Sequence, residues 1–128
     1  METVRKFLMG FVYAWHGIKR ALSQRNMKFH AFVAAMVVLF GFFLQISFVE
    51  WVVVIVLIAL VFAAEMFNTA IENEANTMRD KLGAPYSLMG APKDLAAGAV
   101  LVLAIAAAII GLAIFLPKLW VFFQKITM

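Results

Sequence analysis

The sequence contains no cysteine, and only 14% of its 128 residues are charged. Without cysteine the chain has neither a disulfide framework nor a thiolate metal site. It also has no GxxxxGK[ST] or GxGxxG motif, so any nucleotide chemistry must use an architecture other than the common glycine-rich loops. A soluble domain usually has about a quarter of its residues charged. The low charge content therefore argues against a soluble domain.

Hydrophobic residues make up 66% of the chain. A protein of this length has too little interior to bury so much apolar surface in water, so lipid is the expected solvent. The net charge of +4 does not indicate nucleic-acid binding, because the basic residues do not form an aromatic-interleaved patch on a soluble domain. We expect a single integral membrane domain of 128 residues and no nucleic-acid partner.

Three apolar segments approach or exceed the length needed to cross a membrane, which is about 20 helical residues. The predicted crossings are residues 31–49, 51–71 and 95–117. Backbone groups in lipid must be satisfied within the segment, so each crossing should be an α-helix. The third carries small residues three or four apart, at Ala104, Ala107, Ala108 and Gly111. They indicate either close helix association or simply an alanine-rich helix.

The N-terminal segment has a different pattern from these crossings. Apolar residues recur there at steps of three and four, with basic and polar residues largely outside that stripe. This pattern predicts an amphipathic helix over residues 1–28 that lies on the membrane surface. A signal peptide is the alternative, but basic residues follow its short apolar run and no small-residue cleavage site is present.

The distribution of lysine and arginine predicts the orientation. Six precede the first crossing, none lies between the first two, three lie before the third and two follow it. The positive-inside rule therefore places the N-terminus and the 72–94 loop in the cytoplasm and the C-terminus outside. The predicted location is therefore a membrane that the chain crosses several times, with its more basic side toward the cytoplasm.

Polar residues begin within the second crossing and continue beyond it, at steps of three and four that follow one helical face: Glu65, Asn68, Glu72, Asn76 and Asp80. A carboxylate within a bilayer is costly, so a function is the default hypothesis. A base at the lipid boundary could accept a hydroxyl proton, and a second carboxylate could hold Mg²⁺ with phosphate oxygens. Lys93 and Asp94, expected at the start of the third helix, could attract phosphate there. Together these residues suggest phosphoryl transfer to a membrane alcohol.

The segments EMFNTAIE, KDLAAGAV and GLAIFLPKL, with the N-terminal FVYAWHGIKRALSQRNMKFHAF, resemble the small bacterial membrane kinases that phosphorylate diacylglycerol or undecaprenol. The resemblance covers nearly the whole chain and is closer to the undecaprenol kinase branch. It implies an all-α protein of the bacterial cytoplasmic membrane, with a surface helix and three crossings. It also implies a homotrimer in which neighbouring subunits share active sites, with ATP and Mg²⁺ as the required partners of the lipid.

The resemblance also implies roles for individual residues. Glu65 matches the catalytic base, and Glu72 matches a metal ligand that also lies at the nucleotide. Asn68 matches a polar neighbour of the site. Lys93 matches a residue that contacts the phosphates of the nucleotide. Three further residues match positions at the nucleotide: Asp94, Tyr13 and Lys6.

Three departures from the family pattern bear on metal binding. Gln24 stands where the family has a glutamate ligand, Asn76 stands where it has an aspartate, and the stretch between Glu72 and Lys93 is about three residues longer. Gln24 keeps an oxygen donor but removes a charge that Mg²⁺ prefers. Asp80 lies one turn beyond Asn76 and could restore negative charge. The alternative function is therefore a catalytically impaired member that binds or assembles in the membrane.

The two histidines have a separate expectation. His16 and His30 are 14 residues apart, and neither is paired with a carboxylate by local sequence. We expect them to contact the interface or lipid headgroups rather than a metal.

Overall fold

Helices occupy nearly all of residues 2–127, the part of the chain that the computed structural model describes. They are α1 (Glu2–Leu22), α2 (Arg25–Phe43), α3 (Phe48–Leu82) and α4 (Tyr86–Thr127). The helices α2, α3 and α4 are each long and apolar enough to cross a membrane. The prediction of an all-α protein with three such helices is confirmed.

The break between α1 and α2 falls inside the segment predicted as one surface helix, residues 1–28. The Ser23 hydroxyl donates to the Arg20 carbonyl over 2.7 Å, which ties the side chain to the backbone where α1 ends. Gln24 then takes an extended conformation as the N-cap residue of α2. Residues 25–28 consequently belong to α2, while the position of α1 on the membrane surface stays a prediction.

A tight turn joins α2 to α3 within the predicted first crossing, residues 31–49. The helix α2 ends at Phe43, Gln45 has a positive φ of 51°, and Ser47 starts α3 through a capping box. The Ser47 amide donates to Glu50 over 2.6 Å, and the Glu50 amide donates to the Ser47 hydroxyl over 3.3 Å. The two reciprocal bonds satisfy backbone donors that would otherwise be unpaired.

We expect Ser47→Ala to lower the free energy of unfolding by about 0.5–2 kcal/mol, because the N-cap acceptor is lost. Equilibrium unfolding in detergent micelles would measure the change. Ser87→Ala is the matched control, since the Ser87 side chain is exposed and makes no hydrogen bond to residues 2–127. Equal effects of the two substitutions would contradict the capping role.

The helices α3 and α4 form the main packing pair of the protein, with α2 and α1 attached more loosely. With 35 and 42 residues, they are about 52 and 63 Å long, well beyond a hydrocarbon core of about 30 Å. Near the start of α3, Lys118 of α4 pairs with Glu50 over 3.1 Å. The other end of α3 extends beyond the apolar part of the pair.

The connection from α3 to α4 is much shorter than the sequence pattern indicates. Only residues 83–85 between these helices are non-helical. Gly83 ends α3 in the left-handed conformation, with φ of 65°, which glycine adopts without a steric penalty. The other residues of the predicted loop therefore belong to α3 and α4.

The early start of α4 corrects one expectation. Lys93 and Asp94 lie about two turns inside α4, which begins at Tyr86, and not at a helix N-terminus. The partial positive charge of a helix end is confined to its first turn. It therefore does not contribute to phosphate binding at these two residues.

Candidate active site

Two polar side chains of α3 are buried in the described part of the chain. Glu65 is 2% exposed and Asn68 is 4% exposed. Their spacing of three places them on the same face of the helix, together with Val61, which is also buried. The carboxylate predicted as the base is therefore enclosed by protein.

One oxygen of each buried side chain has no hydrogen-bond partner within residues 2–127. These atoms are Glu65 Oε1 and Asn68 Oδ1. An unsatisfied buried polar atom usually costs about 1–3 kcal/mol, so a fold rarely retains one without a reason. Two adjacent acceptors of this kind indicate a site that is completed by a ligand.

A cavity of about 500 Å³ adjoins these acceptors. It lies where the first turns of α2 meet the polar part of α3, and α4 closes another side through Ala97 and Val100. Its polar lining combines acidic, basic and neutral side chains: Arg25, Asn26, His30, Glu65, Asn68 and Glu72. This mixture can accept a proton, bind a cation through carboxylates and bind an anion through Arg25.

Two hydrogen bonds involve the polar face of α3, one within the cavity lining and one beyond it. The Asn68 amide nitrogen donates to Glu72 Oε1 over 3.4 Å, and Lys93 Nζ of α4 donates to Asn76 Oδ1 over 3.3 Å. Both Asn76 and Lys93 are half-buried. The structure thus places the base candidate, its polar neighbour and the metal-ligand candidate along one face of α3, and Lys93, the candidate for phosphate binding, is hydrogen-bonded to the next turn of that face.

Six predicted site residues do not line this cavity. Asn76 and Lys93 lie beyond it and are hydrogen-bonded to each other; the other four are Lys6, Tyr13, Gln24 and Asp94. On α1, Lys6 pairs with Glu2 over 2.8 Å, and Tyr13 is 65% exposed. Gln24 is half-buried at the break that precedes α2, while Asp94 is exposed on α4. Their contacts with a nucleotide or metal stay predictions.

Asp80 does not compensate for the missing charge at Asn76. The helix α3 reaches it, but its carboxylate pairs with the adjacent Arg79 over 2.8 Å, and both side chains are exposed. Hydrogen bonding from Arg79 lowers the pKa of Asp80. The carboxylate is therefore held by its neighbour in water rather than turned toward the cavity.

Sequence reasoning missed three polar residues of the cavity, namely Arg25, Asn26 and His30. The available signal was the spacing of Asn26 and His30, four residues apart just before an apolar run, which places both on one helical face. That pattern matches the Glu65–Asn68–Glu72 spacing on α3. Pairing the two faces required knowledge of how α2 packs on α3.

An apolar groove of about 550 Å³ continues from the cavity between α2, α3 and α4. The two spaces share Phe29 and His30. The small residues of α4 line this groove: Ala104, Ala107, Ala108 and Gly111. Their small side chains leave room between the helices of one chain.

The sequence model of the prokaryotic diacylglycerol kinase family matches residues 12–115. The chain belongs to this family. It is therefore a lipid kinase, as the resemblance predicts, and the matched range includes both the cavity and the Asn76–Lys93 contact.

Two relatives with assigned activities align over nearly the whole kinase. The undecaprenol kinase of Bacillus subtilis is 44% identical over 117 residues, which cover 91% of this chain and 93% of that protein. The diacylglycerol kinase of Synechocystis sp. is 37% identical over 120 residues, which cover 92% of this chain and 67% of that protein. No solved structure gives a significant match.

Proposed function

We propose that this kinase transfers the γ-phosphoryl group of Mg²⁺-bound ATP to the hydroxyl of a membrane alcohol, with undecaprenol preferred or diacylglycerol as the acceptor. The observation that carries the proposal is the 2%-exposed Glu65, whose Oε1 lacks a partner within residues 2–127 and adjoins a polar cavity. The higher identity to the undecaprenol kinase favours undecaprenol.

The proposed setting is the inner face of the bacterial cytoplasmic membrane. The lysine and arginine distribution supports a cytoplasmic N-terminus and an external C-terminus. The crossings are proposed within residues 31–49, 51–71 and 95–117 of a single domain, with α1 on the membrane surface as an amphipathic helix. We also propose a homotrimer with active sites shared between subunits, because several predicted nucleotide contacts do not meet the cavity within one chain.

Glu65 acts as the general base in this proposal. Its carboxylate accepts the proton of the lipid hydroxyl as the oxygen attacks the γ-phosphorus. Asn68 donates to Glu72 over 3.4 Å and so holds Glu72 in position. Burial of Glu65 keeps bulk water away from the attacking oxygen, which limits transfer of the phosphoryl group to water.

Lys93 binds the nucleotide phosphates, and Asp94, Tyr13 and Lys6 contact other parts of ATP. The 3.3 Å bond from Lys93 to Asn76 keeps its ammonium group beside α3. Because the amide of Asn76 carries no charge, the ammonium charge of Lys93 is not neutralised there. It can therefore attract a triphosphate.

Glu72 and Gln24 are the residues that would hold Mg²⁺. Magnesium typically binds one or two protein carboxylates together with waters and substrate phosphates, and a cavity with Glu72, Glu65 and amide oxygens fits that donor set. When bound, the ion would offset the negative charge of the triphosphate. Asn76 lies one helical turn from Glu72 and would contribute a neutral amide next to the same proposed Mg²⁺ site.

A catalytically impaired binding or assembly protein is the second candidate. Its support is the replacement of two acidic positions by Gln24 and Asn76. In addition, residues 2–127 contain no group of three or more His, Cys, Asp or Glu side chains placed to hold a metal ion. A reduced carboxylate count weakens metal binding, so this candidate predicts nucleotide binding that does not depend on Mg²⁺.

Phosphorylation assays on the purified protein in vesicles separate the two candidates. With ATP and Mg²⁺, we expect phosphorylated undecaprenol to form faster than phosphorylated diacylglycerol. Gln24→Glu should lower the Mg²⁺ concentration required for half-maximal rate by about tenfold, because a charged ligand binds the ion more tightly. The catalytically impaired candidate would be established if neither the wild-type protein nor Gln24→Glu forms either phosphorylated lipid and ATP binding does not depend on Mg²⁺.

A further inference from the structure

His30 lies at the junction of the polar cavity and the apolar groove. It is half-buried on the second turn of α2 and lines both spaces. Its ring meets Phe29 edge to face, with 5.6 Å between centroids. Neither ring nitrogen hydrogen-bonds to another residue of the described chain, so the polar edge of the imidazole has no protein partner there.

The groove is otherwise lined by apolar side chains. Among its described lining residues, His30 carries the one polar side chain. Its wall on α4 extends from Ala104 to Leu119, which is about four helical turns, and α2 and α3 supply the other sides. A hydrocarbon chain suits such a wall because burial there costs it no hydrogen bonds. The continuity of the groove with the cavity identifies the occupant as the hydrocarbon of the acceptor lipid.

The hydrogen bonds that a bound lipid hydroxyl requires indicate a role for His30. A hydroxyl that donates its proton to Glu65 still has oxygen lone pairs that need a donor. As a carboxylate base Glu65 only accepts, and one of the two N–H groups of the Asn68 amide donates to Glu72. The donors that remain in the lining are the second N–H of Asn68 and the N–H groups of Arg25, Asn26 and His30. Of these, only His30 also faces the groove in which the hydrocarbon would lie.

We propose that His30 is the residue that positions the lipid alcohol. Its ring N–H donates to the hydroxyl oxygen, the hydrocarbon lies in the groove, and the hydroxyl proton points to Glu65. During transfer, the O–H bond breaks and its proton passes to the Glu65 carboxylate. The oxygen bonds to the γ-phosphorus, and ADP leaves with the electrons of the broken P–O bond. This inference rests on the proposed kinase function.

The test measures steady-state kinetics of the full chain in vesicles with graded mole fractions of undecaprenol. His30→Phe keeps a planar ring but removes the donor, and we expect about a tenfold higher KM for the lipid, the value of one lost hydrogen bond. The KM for ATP should stay within about twofold, because the substitution removes no proposed ATP contact. His30→Gln retains an N–H donor and should stay within about threefold of the wild-type KM for the lipid.

His16→Phe is the matched control, since His16 is exposed on α1 and should leave the KM for the lipid unchanged. The inference is overturned if His30→Phe leaves the KM for the lipid unchanged, or if the KM values for lipid and ATP rise together. It is also overturned if His30→Gln is as impaired as His30→Phe, because a purely structural role would give that result. A wild-type protein that phosphorylates no lipid alcohol would refute the proposed function itself.

Discussion

Glu65→Gln should lower the rate of lipid phosphorylation by at least about a hundredfold, the usual contribution of a positioned general base. Glutamine has nearly the same shape as glutamate but cannot accept the hydroxyl proton. Because Glu65 is 2% exposed and Oε1 has no partner within residues 2–127, a neutral amide should be cheaper to bury than a carboxylate. We therefore expect the free energy of unfolding to stay equal or rise.

Glu74→Gln provides the matched control for this loss. Glu74 lies on the same helix but is exposed, so the same substitution should keep the wild-type rate. The measurements are the maximal rate with saturating ATP and lipid, and equilibrium unfolding in detergent. A Glu65→Gln rate within about threefold of the wild-type rate would exclude Glu65 as the base.

The second large effect is expected in the last turn of α2, next to the connection with α3. Gly41 is buried, and a Cβ placed there would lie 2.8 Å from Trp51 Cη2 and 3.2 Å from Ile46 Cδ1. The indole cannot easily withdraw, because Phe42 packs against it with 4.8 Å between ring centroids. We expect Gly41→Leu to lower the free energy of unfolding by about 1–3 kcal/mol through overpacking.

Gly98→Leu is the matched substitution on α4. A Cβ at Gly98 would have no atom within 4 Å, so leucine can extend away from the helix there and also improves the intrinsic helix propensity. Unfolding of both variants in detergent should show a clear loss for Gly41→Leu and none for Gly98→Leu. Similar losses would mean that the close approach of Trp51 does not constrain Gly41.

The sequence pattern was sufficient to predict the three apolar helices and the polar face of α3, because both depend on local periodicity. It misplaced the helix boundaries. The segment SFVE carries the signature of a capping box, yet Ser47 was included in the first predicted crossing since the apolar residues continue through it. Likewise, the Gly- and Pro-containing segment before Lys93 suggested a loop, whereas Gly83 alone supplies the left-handed residue that ends α3.

The contents of the cavity were only partly predictable. Glu65, Asn68 and Glu72 belong to one helix, so their proximity follows from their spacing. Arg25 and His30 come from α2, and their approach to Glu65 depends on the packing of two helices, which a single helical pattern does not specify. The predicted contacts of α1 with a nucleotide depend on still longer-range packing.

The distance between the two carboxylates near the ends of the apolar wall of α3 has a consequence for how the substrate reaches the enzyme. From Glu50 to Glu65 the helix advances 15 residues, about 22 Å, which is less than the roughly 30 Å thickness of a hydrocarbon layer. With Glu50 at one boundary between hydrocarbon and water, Glu65 lies inside the hydrocarbon layer, several ångströms from the opposite boundary. A long-chain alcohol can then be phosphorylated at the depth where it already resides, and its hydrocarbon chain does not have to leave the hydrocarbon layer.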